Sequence, residues 1–262
     1  MKLALKLAAA LLVFALVATT LLYTQQRRIL FPAPSHYPHD APAGFRLVHT
    51  QTEDGLRLSA FYRPAPPGLK TILFFHGNGD NMLGAIEATR GPAAAGHGLM
   101  LVEYRGYAGN PGSPSEVGLY RDGDAAMRWL TDAGADSRNI VVVGNSIGSG
   151  PATEIALRHD VAALILVSGL ADLPSVVKSR MSFVPRWMVR DRFDNVSKLG
   201  GVKAPVYLMH GDADTLVKAD NLARLAAAQR DATVARIAGV GHELVYTAAA
   251  QALLTQWIDA LP

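Results

Sequence analysis

The stretch Ile140-Val-Val-Val-Gly144-Asn145-Ser146-Ile147-Gly148-Ser149-Gly150 decides how the rest of this chain is read. Its apolar, β-branched start fits a buried strand. Gly144-Asn-Ser-Ile-Gly148 then matches the pattern G-x-S-x-G, and Pro151 to Arg158 is helix-compatible. Strand, tight turn and helix together are the context of a nucleophile elbow. The serine of such a turn is strained, and the residues two before and two after it must lack a Cβ that would strike the adjoining strand or helix. A glycine-rich turn with an incidental serine is the plainer reading of the same five residues. The choice rests on what the remaining sequence supplies.

It supplies an alternation of strands and helices. Phe45–Thr50 and Leu56–Tyr62 read as two strands joined through the hairpin signal Glu53-Asp54-Gly55. Thr71–Phe75 is a buried strand running into His76-Gly-Asn-Gly79, and Leu99–Tyr104 is the next, ending in Arg105-Gly106-Tyr107. In Ser113-Pro-Ser-Glu116, Ser113 is the expected N-cap of a helix, with Pro114 at its first position and Glu116 three residues on. Val117, Leu119, Tyr120, Ala125, Met127, Trp129 and Leu130 follow at helical spacing. Further strands are expected at Ile140–Val143, Ala163–Ser168, Pro205–Met209 and Thr233–Ile237, and helices at Ala219–Gln229 and Thr247–Ala260. Near-continuous apolar strands between helices predict an α/β fold, its mostly parallel sheet covered on both faces.

The 262 residues suffice for one large α/β domain. Cysteine is absent, which excludes disulfides, thiolate metal sites and a cysteine nucleophile. Lys2 and Lys6 precede an uncharged run from Leu7 to Gln26, apolar through Tyr23 and closed by Arg27-Arg28. That run is about the ~20 residues a bilayer-spanning helix needs. A cleaved signal peptide is the competing reading, in which the domain is secreted or periplasmic. Ala18-Thr19-Thr20 is a poor cleavage site, so residues 1–28 are read as an uncleaved anchor, with the catalytic domain on the non-cytoplasmic side. The proline-rich residues 29–44 are expected to form an extended tether, and 45–262 the folded domain. Residues 1–30 hold four of the basic side chains and no acid. The net charge of +3 therefore belongs to the anchor, and a nucleic-acid partner is not implied.

A serine hydroxyl needs a base, and a histidine base needs a carboxylate to orient it. Both follow Ser146, in the order Ser, Asp, His. His210-Gly-Asp212-Ala-Asp214 ends one predicted strand, and Gly241-His242 lies in the glycine-flanked loop after another. His242 is the candidate base, and Asp212 and Asp214 are the candidate acids. His76, His97 and His210 are read as structural. Oxyanion donors are expected from the backbone N–H groups of Ile147, just after the serine, and Asn78, in the His76–Gly79 loop. The sequence holds no H-E-x-x-H, no Walker A loop and no dinucleotide G-x-G-x-x-G, so metal and nucleotide readings have little support, and the chemistry needs no cofactor.

From about Phe45 onward the chain resembles the α/β-hydrolases of the Bem46-like serine hydrolase group. The resemblance is carried by Phe75-His-Gly-Asn-Gly79, Tyr104-Arg-Gly-Tyr107, Gly112-Ser-Pro-Ser-Glu116 with Gly118-Leu-Tyr120, Gly144-Asn-Ser-Ile-Gly148, Arg192-Phe-Asp194, His210-Gly-Asp-Ala-Asp214 and Gly241-His242. It implies Ser146, Asp214 and His242 as a catalytic triad, with Asp212 left as a turn residue bonding nearby amides. It also implies hydrolysis of ester, thioester or amide bonds, and it agrees with an N-terminal membrane helix. Glu243 stands where the group often carries a shorter polar residue. A small cap is expected at about 170–203, where seven basic residues mix with Met181, Phe183, Trp187 and Met188. That mixture reads as a solvated cap over the pocket, or as a surface that touches anionic lipid. The expected protein is thus a membrane-tethered serine hydrolase acting on a small-molecule or lipid-like acyl ester or thioester. Its rivals are a peptidase using the same triad and a non-catalytic binding protein on the same fold.

Overall fold

A computed structural model describes residues 2–33 and 40–262. The interior of the expected tether, residues 34–39, lies outside the described residues. The chain begins with a long helix, α1 (Lys2–Leu30), and then lays down β1 (Arg46–Gln51), β2 (Arg57–Arg63) and β3 (Thr71–Phe75). Next come α2 (Met82–Ala88), α3 (Arg90–Ala94), β4 (Gly98–Val102), α4 (Glu116–Asp132), β5 (Ile140–Asn145) and α5 (Ser149–Arg158). The last part holds β6 (Ala163–Val167), α6 (Leu173–Arg180), α7 (Asn195–Leu199), β7 (Val206–Gly211), α8 (Asp220–Ala228), β8 (Thr233–Ile237) and α9 (Ala248–Asp259).

The eight strands form one sheet in the order β1-β2-β4-β3-β5-β6-β7-β8. β1 pairs with β2, and β2 with β4, antiparallel; the other pairings are parallel. The central strands show why they read as unbroken apolar runs. In β3, Leu73 and Phe75 enter one core while Ile72 and Phe74 enter the other, and β5 divides Ile140 and Val142 from Val141 and Val143 in the same way. Alternate side chains point to opposite faces, and here both faces are covered. Leu119, Leu130, Ile155, Leu199 and Leu225 bring α4, α5, α7 and α8 onto the first face, and Met82, Leu254 and Ile258 bring α2 and α9 onto the second.

Local chemistry departs from expectation in three places. The N-cap of α4 is Ser115, whose hydroxyl accepts from the Gly118 N–H, not Ser113. Glu116 is drawn away from any capping box, accepting instead from the Tyr120 hydroxyl (2.7 Å) and the Arg192 N–H (2.6 Å). Val117, expected on the apolar stripe, is 57% exposed. The segment expected as a cap, 170–203, holds α6, the loop to Val189 and α7, and Leu173, Val189 and Leu199 from these three pieces are all buried in the first core.

Residues 29–31, expected within an extended tether, are instead docked: α1 runs to Leu30 and Phe31 is buried, meeting the Phe193 ring edge-on at 6.3 Å. The last turns of α1 are fixed to the domain. Arg27 makes a two-point ion pair with the buried Asp191 (2.8 Å each), and Gln26 donates to the Met188 carbonyl (3.1 Å) and accepts from the Arg190 N–H (2.9 Å). Upstream, α1 is apolar and exposed, with the length and composition of a membrane span.

Candidate active site

The site lies at the carboxyl ends of β3, β5, β7 and β8. β5 ends at Asn145, and Ser146 starts the tight turn into α5 with φ = 53°. That left-handed conformation costs a non-glycine residue ~1–3 kcal/mol. Tight packing around the turn enforces it. A Cβ on Gly144 would lie 2.5 Å from the Gly148 carbonyl oxygen, and one on Gly148 would lie 2.2 Å from that of Phe75. The two glycines of the motif are therefore required where the elbow argument needs them.

β7 and β8 bring up the other two residues. Gly211 passes so near the loop after β8 that a Cβ there would lie 2.2 Å from the Val240 carbonyl oxygen. Asp214 and His242 follow these strands and meet, the His242 Nδ1–H donating to Asp214 Oδ2 at 2.8 Å. Asp214 Oδ1 accepts from the N–H groups of Leu216 and Val217, both at 2.9 Å. Burial alone would raise the Asp214 carboxyl, but the hydrogen bond and charge of His242, with these two amides, outweigh it and hold the group below the usual carboxylate range. With Nδ1 held by the Asp214 carboxylate, the His242 ring turns Nε2 toward Ser146, 2.9 Å from its hydroxyl oxygen. Ser146, His242 and Asp214 are thus brought into one hydrogen-bonded line.

Asp212 stands apart. Its carboxylate pairs with Arg236 on the exposed surface (2.7 Å) instead of bonding turn amides as expected. His210 is buried beside Asp214 and hydrogen-bonds the Val217 carbonyl through Nε2 (2.7 Å); burial pushes its pKa down. His97 is buried and bonds Asp259 (2.9 Å). Glu243 is exposed in the turn that follows His242.

Asn78 and Ile147 line the same cavity as Ser146, a space of about 230 Å³ walled by Leu170, Leu173, Val176 and Leu216, with Arg180 at its rim. The Asn78 side chain is held from two sides, accepting from the Tyr107 hydroxyl (2.7 Å) and donating to the Leu30 carbonyl (2.5 Å). Beneath this loop His76 is fully buried, donating to the Gly77 carbonyl (2.8 Å) and to Glu103 Oε1 (3.1 Å). Both its ring nitrogens face acceptors, an arrangement that favours the protonated ring. Burial opposes that charge, but Glu103 outweighs the burial and raises the His76 pKa.

Sequence reasoning missed Glu103, and it missed Ile29 and Leu30, which wall the cavity from α1. A lone phenylalanine among prolines, Phe31, was the only local hint that this segment packs. The motif Arg192-Phe-Asp194 proves structural. Phe193, at φ = 41°, fills the space beside Gly150 and meets Phe31 and Tyr120, while Asp194 caps α7.

A family model described as alpha/beta hydrolase fold matches residues 70–204. That stretch holds Asn78, Ser146 and Ile147 but stops before Asp214 and His242. An uncharacterised protein of Mycobacterium tuberculosis is 34% identical over 242 residues, spanning 88% of this chain and 86% of the relative. The human alpha/beta hydrolase domain-containing protein 17B is 30% identical over 200 residues, spanning 74% of this chain and 67% of that protein. Among solved structures, an esterase of Pyrococcus furiosus superposes with a TM-score of 0.71 at 19% identity, covering 87% of this chain and 96% of its own. At that identity the likeness is one of fold.

Proposed function

Because the chain belongs to the α/β-hydrolase family, we propose that it is a serine hydrolase that cleaves carboxylic ester or thioester bonds through an acyl-serine intermediate. The observation that carries this reading is the line Ser146 Oγ, His242 Nε2, His242 Nδ1, Asp214 Oδ2, with hydrogen bonds of 2.9 and 2.8 Å at the floor of an apolar cavity. In the proposed cycle Ser146 Oγ attacks the carbonyl carbon while its proton passes to His242 Nε2. Asp214 stabilises the resulting imidazolium and fixes the ring's orientation. The N–H groups of Asn78 and Ile147 take the developing oxyanion, each worth ~10²–10³ in turnover by analogy with other such sites. His242 returns the proton to the departing alcohol or thiol. Water then repeats the sequence on the acyl-serine and releases the acid. The mostly aliphatic wall suits an acyl group, and no cofactor takes part.

The N-terminal helix is proposed as an uncleaved anchor that holds the domain on the non-cytoplasmic side of the membrane. Its docking residues Gln26, Arg27, Leu30 and Phe31 lie at or beyond the end of the uncharged run and pack on the domain.

The test is labelling of the full chain with a fluorescent fluorophosphonate, beside a Ser146→Ala version. Labelling that disappears with Ser146→Ala is expected. A folded wild-type protein that takes no label would instead favour a binding protein on the hydrolase fold.

A further inference from the structure

We propose that the cleft between α1 and the cap is a side entrance to the Ser146 cavity, receiving the acyl chain of a membrane-resident ester directly from the bilayer. This deepens the reading of Ser146 as an acyl-transfer nucleophile and rests on it.

Two cavities meet at this point. The inner one holds Ser146; the outer is a narrow apolar cleft of about 40 Å³ between the end of α1 and the cap. Ile29, Leu30, Val177 and Met181 line both, so the two spaces lie back to back with these four side chains between them. The outer cleft continues to Leu22 and Tyr23 on α1, facing Val184 and Met188 of the cap. From Leu22 to Leu30 the helix rises ~12 Å at ~1.5 Å per residue, so the path runs along α1 for about that distance.

The chemistry of the path selects its occupant. Besides the Tyr23 hydroxyl, Gln26 brings the polar side-chain group of the outer cleft, and its amide is already used: Nε2 donates to the carbonyls of Tyr23 and Met188, and Oε1 accepts from the Arg190 N–H. A polar ligand entering here would lose water and gain at most the Tyr23 hydroxyl as a partner, whereas an alkyl chain loses nothing. The outer end sits where the apolar run of α1 ends, which for a spanning helix is the edge of the hydrocarbon. The cap loop beside it carries Phe183 and Trp187, 77% and 76% exposed, and Arg190 lies over the Tyr23 ring at 5.6 Å. Exposed aromatic rings and arginines at this level are what a membrane–water interface favours. A chain lying beside α1 in the bilayer would therefore slide along the cleft and bring its carbonyl to Ser146.

The experiment uses the full-length Ser146→Ala protein in phosphatidylcholine vesicles with a long-chain acyl ester that bears a diazirine along its chain. After photolysis, crosslinked peptides are mapped by mass spectrometry. Crosslinks are expected within residues 22–30 and 177–189. Leu22→Trp and, separately, Met181→Trp should each lower that yield by about tenfold, equivalent to ~1.4 kcal/mol of lost binding, while melting as the parent does. Crosslinks confined to other surfaces, or a yield unchanged in both variants, would overturn the proposal. The hydrolase reading fails by a different sign: a wild-type protein that crosslinks here yet takes no fluorophosphonate would keep the chain-binding cleft and lose the acyl-serine.

Discussion

At the residue scale, what was legible was what is local. Gly144 and Ser146 carry their reason within the five-residue turn, whereas a Cβ on Gly148 is forbidden by the neighbouring strand end at Phe75, and there the motif pattern stands in for the contact. Gly148→Ala should therefore cost at least ~1–3 kcal/mol, visible as a lower melting temperature, even though alanine is the smallest change available. Asp212 and Asp214 could not be separated by pattern alone, because both sit in the loop after β7 and only its folding turns one carboxylate inward. The structure gives each a different partner, His242 or Arg236. Asp214→Asn should thus lower turnover of a short acyl ester by ~10³–10⁴, by analogy with other triads. Asp212→Asn removes a surface ion pair and should leave turnover within about a factor of two, as such pairs contribute little. Steady-state kinetics on the two variants separates them.

At the element scale, the strands were legible because both faces of the sheet are covered, which writes them as unbroken apolar runs. α2 and α3 were not. Residues 82–94 are rich in alanine and glycine, contain Pro92, and show no clear apolar stripe; their helices are held by a cap at Asn81 and by contact with α9. The loop after β3 was legible as an oxyanion element, but its foundation was not, since Glu103 comes from β4's end. That foundation predicts a pH effect. The folded state raises the His76 pKa, so the stability it contributes is complete below the unfolded value of ~6.5 and is lost as pH rises through the higher folded value. Asp80 and the ring of Tyr104 also lie near this histidine, Asp80 acting in the same direction as Glu103. The melting temperature should therefore decline above about pH 6.5, and Glu103→Gln should flatten that limb. Scanning fluorimetry between mildly acidic and mildly alkaline buffers would read both slopes.

At the scale of the whole molecule, the division into anchor, tether and domain was drawn from composition, and composition does not report a contact between distant segments. Arg27 and Asp191 are 164 positions apart, and nothing near either one names the other. A chain beginning at Tyr23 keeps this ion pair and the buried Phe31, whereas one beginning at Asp40 loses both. The shorter chain should be less stable by ~3 kcal/mol or more, melting at least ~6 °C lower, as circular dichroism would show. The same rigid junction has a consequence for how substrate is met. From Tyr23, the last residue of the apolar run, to Leu30 beside Ser146, the helix climbs ~10 Å, a little more than the ~5–8 Å of one headgroup layer. If α1 spans a bilayer, the reacting serine is held at one fixed height and cannot tumble away from it. The search for substrate then takes place in two dimensions, and the rate follows the mole fraction of ester in the surrounding leaflet. Adding inert lipid at constant ester would slow the reaction by dilution within the plane, with no change in bulk concentration.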